Sequence, residues 1–332
     1  RFSLFELDGQ IEIYRSAPGM SLDWYLEYEG FHRGELRELD DQGQRHYTVY
    51  GVGYNHLLSR RVIAYRSGTI RAEKNDYAED VMKEYVIENA GVNANHASRI
   101  RDGVFPGFTT DAESGTHTAR PTWAGDKSFA NLLEALREIS EFSHGAATAL
   151  LHGLDFNVVG TGPATFTFYT YPDQLGTDRT AGSANPVTFS AFRGNMQNSA
   201  YEVDRTKEAN CAIVLGQGDR STRTVIYRED AVTKVDSVWN DIEIARPATL
   251  SEFTYQLNAF GDALIAENYI VETVDGTPMQ TPGEFYGQDY FIGDLVTVEH
   301  DDVSVEKQIV TITINVDGST LAEAIQITFA DV

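Results

Sequence analysis

Cysteine is almost missing from this chain of 332 residues, in which Cys211 is the only one. One thiol can form neither an internal disulfide nor a zinc cluster. It lies in the strand-like run Asn210-Cys211-Ala212-Ile213-Val214-Leu215, where a free cysteine behaves as a small hydrophobic residue. We therefore expect a buried structural thiol rather than a nucleophile.

The chain also lacks the motifs that enzymes use at their active sites. It contains no G-x-S-x-G, no HExxH and no histidine pair at zinc-ligand spacing. Leu215-Gly216-Gln217-Gly218 is a fragment of a phosphate-loop pattern without the Gly-Lys-Ser/Thr that should follow, so we predict a turn. Glu299-His300-Asp301-Asp302 could bind a hard cation, but a solvated turn between two strands explains it more simply. We expect a non-enzymatic protein with no catalytic residue, no cofactor and no metal.

Positive charge is scarce, and lysine is the scarcer of the two basic residues. Acidic residues number 50 against 26 basic ones, which gives a net charge of −24. The six lysines are Lys74, Lys83, Lys127, Lys207, Lys234 and Lys307. Such a negative surface disfavours nucleic-acid backbones and anionic lipids as partners. It is typical of proteins in molar salt, where a Debye length of ~3 Å screens self-repulsion. We expect a halophilic protein; the alternative is an ordinary acidic viral or bacterial protein.

A salt series tests the halophilic interpretation. Because salt screens repulsion among the acidic side chains, the midpoint of thermal unfolding is expected to rise from low to molar salt. Circular dichroism melting curves measure it. A midpoint that stays flat or falls would contradict the interpretation.

Long apolar runs are absent too, and no run is long enough to span a bilayer. We therefore expect no membrane partner. A hydrophobic content of 42% and an aromatic content of 11% indicate a folded globular protein, long enough for two or three domains.

Alternating apolar and polar residues predict β-structure along most of the chain. The predicted strands and hairpins include Ser21–Glu29, Tyr47–Tyr54 and a hairpin over Leu154–Tyr169. A C-terminal meander is predicted from strands at Tyr269–Val274 and Tyr290–Val298 and a final pair from Gln308 to Phe329 with a turn at Asp317-Gly318. An antiparallel meander of this kind fits a barrel or a sandwich.

Three helices interrupt the strands. The first is predicted over Asp76–Gly91, where Asp76 and Glu79 form a capping-box pattern. The second is predicted to begin at Asp126 or Ser128 and to end or be interrupted at His144-Gly145. The third is predicted over Thr249–Asn268, with Thr249 and Glu252 as a capping box. Residues 92–122 have few apolar side chains and are predicted to be a long exposed connection.

An arginine pair, Arg60 and Arg61, stands in the apolar run from Leu57 to Ile63. A basic pair can bind an anion, but salt bridges to the many acidic residues are the more common outcome. No side chain in this stretch has the character of a catalytic residue.

The order of these parts resembles that of the hub proteins of tailed-virus baseplates, in particular the tail-tip hub-like family of siphoviruses. In that family a strand segment ends at an Arg-Arg pair, here Arg60 and Arg61. An A-E-D-V helix that ends in N-A-G follows, here from Ala78 to Gly91. A leucine-rich helix comes next, here Asn131 to Ile139, and the entry to a last barrel strand lies here at Tyr290 to Val298. The resemblance extends from Tyr47 to the C-terminus.

The resemblance implies a mainly β fold with an α+β insertion. Two tube-like antiparallel β-barrel domains would flank a small helix-plus-hairpin domain. The expected ranges are 1–74 for part of the first barrel, 75–184 for the insertion, and 185–332 for a β-rich region with the second barrel and one long helix.

The resemblance also implies a structural virion protein. A homotrimer would close the tail tube at the distal end of the tail and adapt a sixfold tube to a threefold tip. Expected partners are a distal tail protein, a tail tube or tape-measure protein, and tail fibre or receptor-binding proteins. The genome would pass through the channel without sequence-specific binding. Arg60 and Arg61 would form interface ion pairs, and the charge would suit an archaeal virus with a negative channel wall, which mapping the acidic side chains onto the ring lumen would test.

Two other functions compete with the hub. A receptor- or carbohydrate-binding tail module could use Trp24, Trp123 and Trp239 as sugar platforms, although core packing explains tryptophans more simply. An uncharacterised hydrolase lacks every expected motif.

Overall fold

The computed structural model describes residues 5–16, 24–65, 69, 71–100, 107–148, 150–248, 254–320 and 323–330. The chain divides into two units. Unit 1 comprises Arg1–Val187 and Gln280–Leu295, and unit 2 comprises Thr188–Met279 and Val296–Val332. Strand accounts for 44% of the structure and helix for 18%, which confirms the prediction of a mainly β fold.

Unit 1 contains nine of the named strands and three α-helices, counted over the described residues. The strands are β1 (Gln10–Arg15), β2 (Tyr25–Leu39), β3 (Arg45–Gly53), β4 (Glu73–Tyr77), β5 (Gly107–Thr110), β6 (Thr122–Asp126), β7 (Leu154–Gly162), β8 (Thr165–Pro172) and β9 (Asp178–Arg179). The α-helices are α1 (His56–Ser59), α2 (Ala78–Asn89) and α3 (Leu132–Gly145), and short 3-10 helices cover Ala97–Arg99 and His117–Ala119. Strands β1, β2 and β3 form an antiparallel sheet, β4 pairs with β6, and β8 lies between β5 and β7.

The apolar core of unit 1 lies where α2 and α3 meet the strands. Both helices bury one side, because apolar residues recur at helical spacing along them. Val81, Met82 and Tyr85 of α2 join Leu136 and Ile139 of α3 in a single buried cluster. This cluster holds the first turn of α2 in a fixed position.

Helix α2 begins later than predicted. Asp76 does not cap it, because Asp76 lies in β4 and pairs with Trp123 of β6. The helix begins at Ala78, Tyr77 occupies the N-cap position without a side-chain cap, and Glu79 turns into the interior. The predicted capping box is therefore wrong, since strand pairing takes Asp76 out of the helix.

Helix α3 also begins later than predicted. Its cap is Asn131, whose side-chain oxygen accepts hydrogen bonds from the backbone N–H groups of Leu133 and Glu134. Asp126 instead ends β6 and accepts hydrogen bonds from Ser128. The predicted end at Gly145 is confirmed.

Residues 92–122 are not the long exposed connection that their composition predicts. The segment includes β5, which pairs in parallel with β8, and Phe108 of β5 is buried. The Thr109 and Thr167 hydroxyls lie 3.1 Å apart across this pairing. The predicted hairpin over Leu154–Tyr169 is confirmed as β7 and β8.

Residues 280–295 return to unit 1 as an aromatic segment. Arg15 of β1 donates hydrogen bonds to the Glu27 carboxylate at 2.8 Å and to the Tyr286 carbonyl at 2.7 Å. The Tyr25 ring contacts the rings of Tyr286 and Phe291. The segment is thus tied to the first two strands by aromatic packing around a buried arginine.

Unit 2 contains nine named strands and one α-helix among its described residues. The strands are β10 (Thr188–Ser190), β11 (Met196–Asp204), β12 (Cys211–Leu215), β13 (Val225–Glu229), β14 (Glu243–Pro247), β15 (Val271–Pro278), β16 (Leu295–His300), β17 (Val303–Val316) and β18 (Glu323–Ala330). The helix is α4 (Thr254–Glu267), and short 3-10 helices cover Arg220–Thr222 and Thr233–Val235. Strands β10, β16, β17 and β18 lie side by side in that order, β11 pairs with β15, and β12 lies between β13 and β14.

The predicted C-terminal hairpin is confirmed as β17 and β18. The third predicted helix is observed as α4, while its expected capping residues Thr249 and Glu252 lie outside the described residues. The first residues of the predicted strand Ser21–Glu29 also lie outside them. Within the described ranges no helix is both long enough and apolar enough to cross a membrane.

Candidate functional site

Arg60 follows α1 and is held by an acidic side chain of unit 1. Its guanidinium donates two hydrogen bonds to the Asp8 carboxylate, at 3.1 and 2.9 Å. Arg33 donates a third, at 2.8 Å. The hydrogen bonds from Arg60, followed by those from Arg33, hold the pKa of Asp8 below its usual value despite partial burial. Asp8 thus fixes the guanidinium of Arg60 in one orientation.

Arg61 stands next to Arg60 on a rigid piece of backbone. Its carbonyl accepts a hydrogen bond from the N–H of Leu132 at 2.9 Å, and the N–H of Ile63 donates one to the carbonyl of Ala130 at 2.9 Å. The segment is therefore attached to the beginning of α3. The assignment of both arginines to interface ion pairs stays a prediction.

The two arginines contribute to a cavity of about 440 Å³, here called the arginine pocket. Its lining comprises the apolar side chains of Phe31, Leu57, Ala90, Phe108, Ala164 and Phe166, together with Gly107 and the charged Asp8, Arg60 and Arg61. The Arg60 guanidinium lies 5.5 Å from the centre of the Phe31 ring. The pocket combines an apolar lining with an arginine held in place, which suits an apolar group flanked by negative charge.

A buried ionic network lies beneath the first turn of α2. Glu79 is 1% exposed and Arg120 is 1% exposed. The Glu79 carboxylate accepts hydrogen bonds from Lys83 at 2.8 Å and from the N–H and hydroxyl of Ser114 at 2.8 and 2.9 Å. Arg120 approaches the same carboxylate at 3.5 Å. No local sequence pattern marks this network, because Ser114 and Arg120 are more than thirty residues from Glu79 along the chain.

One histidine and two carboxylates come together near this network. The ligand atoms of Asp80, Glu113 and His117 lie within 4.8 Å of one another, so these residues could hold a metal ion. The His117 ring nitrogen lies 3.0 Å from an Asp80 oxygen, and this contact chiefly raises the pKa of His117. A His–Asp ion pair beside an exposed Glu113 accounts for the arrangement without an ion.

The three tryptophans do not share one environment. Trp123 is buried against Tyr85, as core packing predicts. Trp24 and Trp239 are exposed, so core packing is the wrong explanation for these two. Trp239 belongs to a loop of unit 2 that also exposes Val235 and Val238.

The remaining sequence features behave as predicted. Cys211 is buried, and burial raises the pKa of its thiol. Asp301 and Asp302 lie in the exposed turn between β16 and β17. Gly218 has a φ of +100° in the turn after β12, a conformation that favours glycine.

The chain is similar to known tail proteins. Residues 29–330 match the family model described as Siphovirus ReqiPepy6 Gp37-like protein. No curated protein sequence matches the chain.

Two solved structures share the fold. The 43 kDa tail protein of prophage MuSo2 from Shewanella oneidensis has a TM-score of 0.55 at 10% identity, over 97% of this chain and 88% of that one. The tail protein from Neisseria meningitidis MC58 has a TM-score of 0.50 at 12% identity, over 92% of this chain and 81% of that one. At such low identity the likeness establishes the fold alone.

Proposed function

Because the chain belongs to the Siphovirus ReqiPepy6 Gp37-like family, we propose that it is the hub of a siphovirus tail tip. The hub closes the tail tube and adapts a sixfold tube to a threefold tip around the DNA channel. The family match over residues 29–330 carries this proposal. It also confirms the resemblance to a siphovirus tail family that the sequence predicts.

The proposed subunit has two tube-like β-barrels, one beginning within 1–74 and one within 185–332, with an insertion at 75–184. Helices α2 and α3 and the β7–β8 hairpin all fall within the insertion, in support of this division. Three subunits form the ring, and Arg60 and Arg61 form ion pairs at its interfaces. A closed ring requires heterologous contacts, in which two different surfaces of the subunit meet.

The proposed role is structural rather than enzymatic. The hub lies at the distal end of the virion tail and contacts a distal tail protein, a tail tube or tape-measure protein, and tail fibre or receptor-binding proteins. Membership of a tail-protein family supports contacts with other tail components. The net charge of −24 supports a channel that does not retain DNA and, with few lysines, a halophilic archaeal virus.

The mass of the protein in solution tests the hub. Light scattering after size exclusion, in molar salt, is expected to give three times the mass of one chain. Averaged particle images are expected to show a threefold ring. Reversing both arginines, Arg60→Glu with Arg61→Glu, is expected to shift the protein towards monomer, because like charges then meet at the interface.

A matched reversal provides the control. Arg137 and Arg220 are exposed, and Arg137→Glu with Arg220→Glu changes the net charge by the same amount. This variant is expected to remain a trimer. A wild-type protein that stays monomeric at every concentration would contradict the hub. A trimer that stays intact after reversal of Arg60 and Arg61 would show that these arginines do not form ion pairs at the interface.

The exposure of Trp24 and Trp239 favours a second candidate, a receptor- or carbohydrate-binding tail module. Exposed indole rings can stack on sugar rings. A stable monomer that binds glycans, and loses this binding after Trp24→Ala or Trp239→Ala, would support the module instead of the hub.

A further inference from the structure

Residues 230–241, in the loop that joins β13 to β14, expose their apolar side chains and bury the polar Thr233. Val232 is 74% exposed, Val235 80%, Val238 91% and Trp239 88%, whereas Thr233 is only 4% exposed. We call this segment the apolar loop. Its arrangement is the reverse of the usual one, in which apolar side chains of a loop turn inwards.

Hydrogen bonds from the loop's polar residues keep it in this shape. The Asp230 carboxylate accepts from the Val232 N–H at 3.0 Å and from the Thr233 hydroxyl at 2.9 Å. The Asn240 amide donates to the Thr233 carbonyl at 2.8 Å and to the Glu208 carboxylate at 3.0 Å. These bonds span the loop from its first residue to its last turn.

The loop is also attached to the strand that its ends flank. The buried Asn210, next to β12, donates to the Asn240 carbonyl at 2.7 Å and accepts from the Ile242 N–H at 2.9 Å. A loop that is already ordered loses little conformational entropy when it binds. Several exposed apolar residues in one loop, among them a tryptophan, are typical of protein contacts, and tryptophan is among the residues that contribute most to binding.

The arginine pocket of unit 1 has the complementary chemistry. Its lining is apolar, from Phe31, Phe108 and Phe166, and it carries Arg60 and Arg61. Its volume of about 440 Å³ is within the roughly 300–1,000 Å³ of cavities that enclose small organic groups, which is large enough for an indole ring.

Charge favours the same pairing. The apolar loop contains Asp230, Asp236 and Asp241 but a single basic residue, Lys234. The pocket presents two arginines and Asp8, with Arg33 beside it. An apolar group with negative neighbours therefore meets an apolar cavity with positive ones.

We infer that the apolar loop of one copy inserts into the arginine pocket of a second copy, with Trp239 as the anchor. The contact joins two different surfaces, so repeated contacts close into a ring or extend into a filament. The inference rests on the proposed hub, because a ring of three subunits requires a heterologous contact of this kind. It goes beyond the hub by naming the residues that form each side of the contact, Trp239 of the apolar loop and the lining of the arginine pocket.

Cross-linking between two single-cysteine variants tests the contact. Cys211→Ala provides a background without thiols, because Cys211 is the only native cysteine. One variant carries Val238→Cys in the loop, next to the intact anchor, and the other carries Ala164→Cys in the pocket. After the two are mixed under conditions that allow subunit exchange, a short bismaleimide is expected to link one chain of each kind. Each variant alone is expected to form no dimeric product.

The matched control places the loop cysteine elsewhere in unit 2. Phe192 is 79% exposed and lies outside the apolar loop, so Phe192→Cys mixed with Ala164→Cys is expected to form no cross-link. Trp239→Ser is expected to weaken association about tenfold or more, whereas Phe192→Ser leaves it unchanged.

The outcomes separate this inference from the hub itself. A trimer by mass without the mixed cross-link overturns the inference and leaves the hub intact. A monomer by mass overturns both. A cross-link from Val238→Cys alone indicates loop-to-loop contact and overturns the inference.

Discussion

Replacing Glu79 with alanine is expected to lower the free energy of unfolding by about 3–5 kcal/mol. The carboxylate is buried and compensates the charge of Lys83, which is 2.8 Å away, and of Arg120 at 3.5 Å. Its removal leaves the buried Arg120 without this partner, leaves Lys83 with the Asp111 carboxylate at 3.1 Å, and frees the N–H and hydroxyl of Ser114. Uncompensated buried charge is among the most destabilising changes that a single substitution can make. Urea unfolding at neutral pH measures the loss.

A control on the same helix distinguishes burial from charge. Glu84 of α2 is half exposed and pairs with Lys74 at 2.7 Å, so Glu84→Ala is expected to cost less than about 1 kcal/mol. Similar losses for Glu79→Ala and Glu84→Ala would show that the buried network adds nothing. If Glu79→Ala does not fold, Glu79→Gln, which keeps the side-chain size, provides the comparison.

The pH dependence of this loss has a definite sign. Burial opposes ionisation of Glu79, but Lys83 and Ser114 outweigh it, so the pKa of Glu79 is below its ordinary value in the folded protein. The ionised carboxylate therefore contributes stability that is fully present above the ordinary glutamate pKa. That contribution is lost as the pH falls through the lowered value. The difference between wild type and Glu79→Ala should accordingly shrink at acid pH.

Truncating Leu136 to alanine is expected to lower the free energy of unfolding by about 2–5 kcal/mol. Leu136 is fully buried on α3 and belongs to the apolar cluster that also includes residues of α2. The substitution removes apolar contacts and leaves a cavity that the surrounding side chains fill only in part. Chemical denaturation measures the shift in midpoint.

Leu150 offers the matched control for the same change of side chain. It is exposed in the segment after α3, so Leu150→Ala is expected to change stability by less than about 0.5 kcal/mol. A loss for Leu136→Ala as small as that for Leu150→Ala would contradict the position of Leu136 in the core.

Periodic features of the fold could be predicted from the sequence, whereas features that depend on distant pairing could not. The apolar side of α3 and the alternation in β17 follow from local spacing, and both are observed. The beginning of α2 depends on Asp76, which pairs with Trp123 of β6, more than forty residues further along the chain. Strand β5 has only four residues and pairs with β8, so nothing near it in the sequence marks it as a strand.

The residues of the candidate site could likewise be predicted only where their signal is local in the sequence. Arg60 and Arg61 stand out as a pair, but the partner of Arg60 is Asp8, 52 residues earlier. The apolar loop has no helical or strand period, so its three valines and Trp239 resemble ordinary core residues in the sequence. A run of apolar residues between two strands, broken by Asp and Ser, is the signal that could have identified it.

The path of the chain through the two units bears on how the protein is made. Unit 1 consists of two separate stretches of the chain, one that ends at Val187 and one from Gln280 to Leu295, and the residues between and after them belong to unit 2. On the ribosome, Arg15 and Tyr25 therefore emerge long before Tyr286 and Phe291, which cover them in the finished protein. Unit 1 cannot complete its packing until most of unit 2 has been translated. The nascent chain consequently presents an unfilled aromatic site during synthesis, a period in which chaperones and correct timing matter more than the final stability.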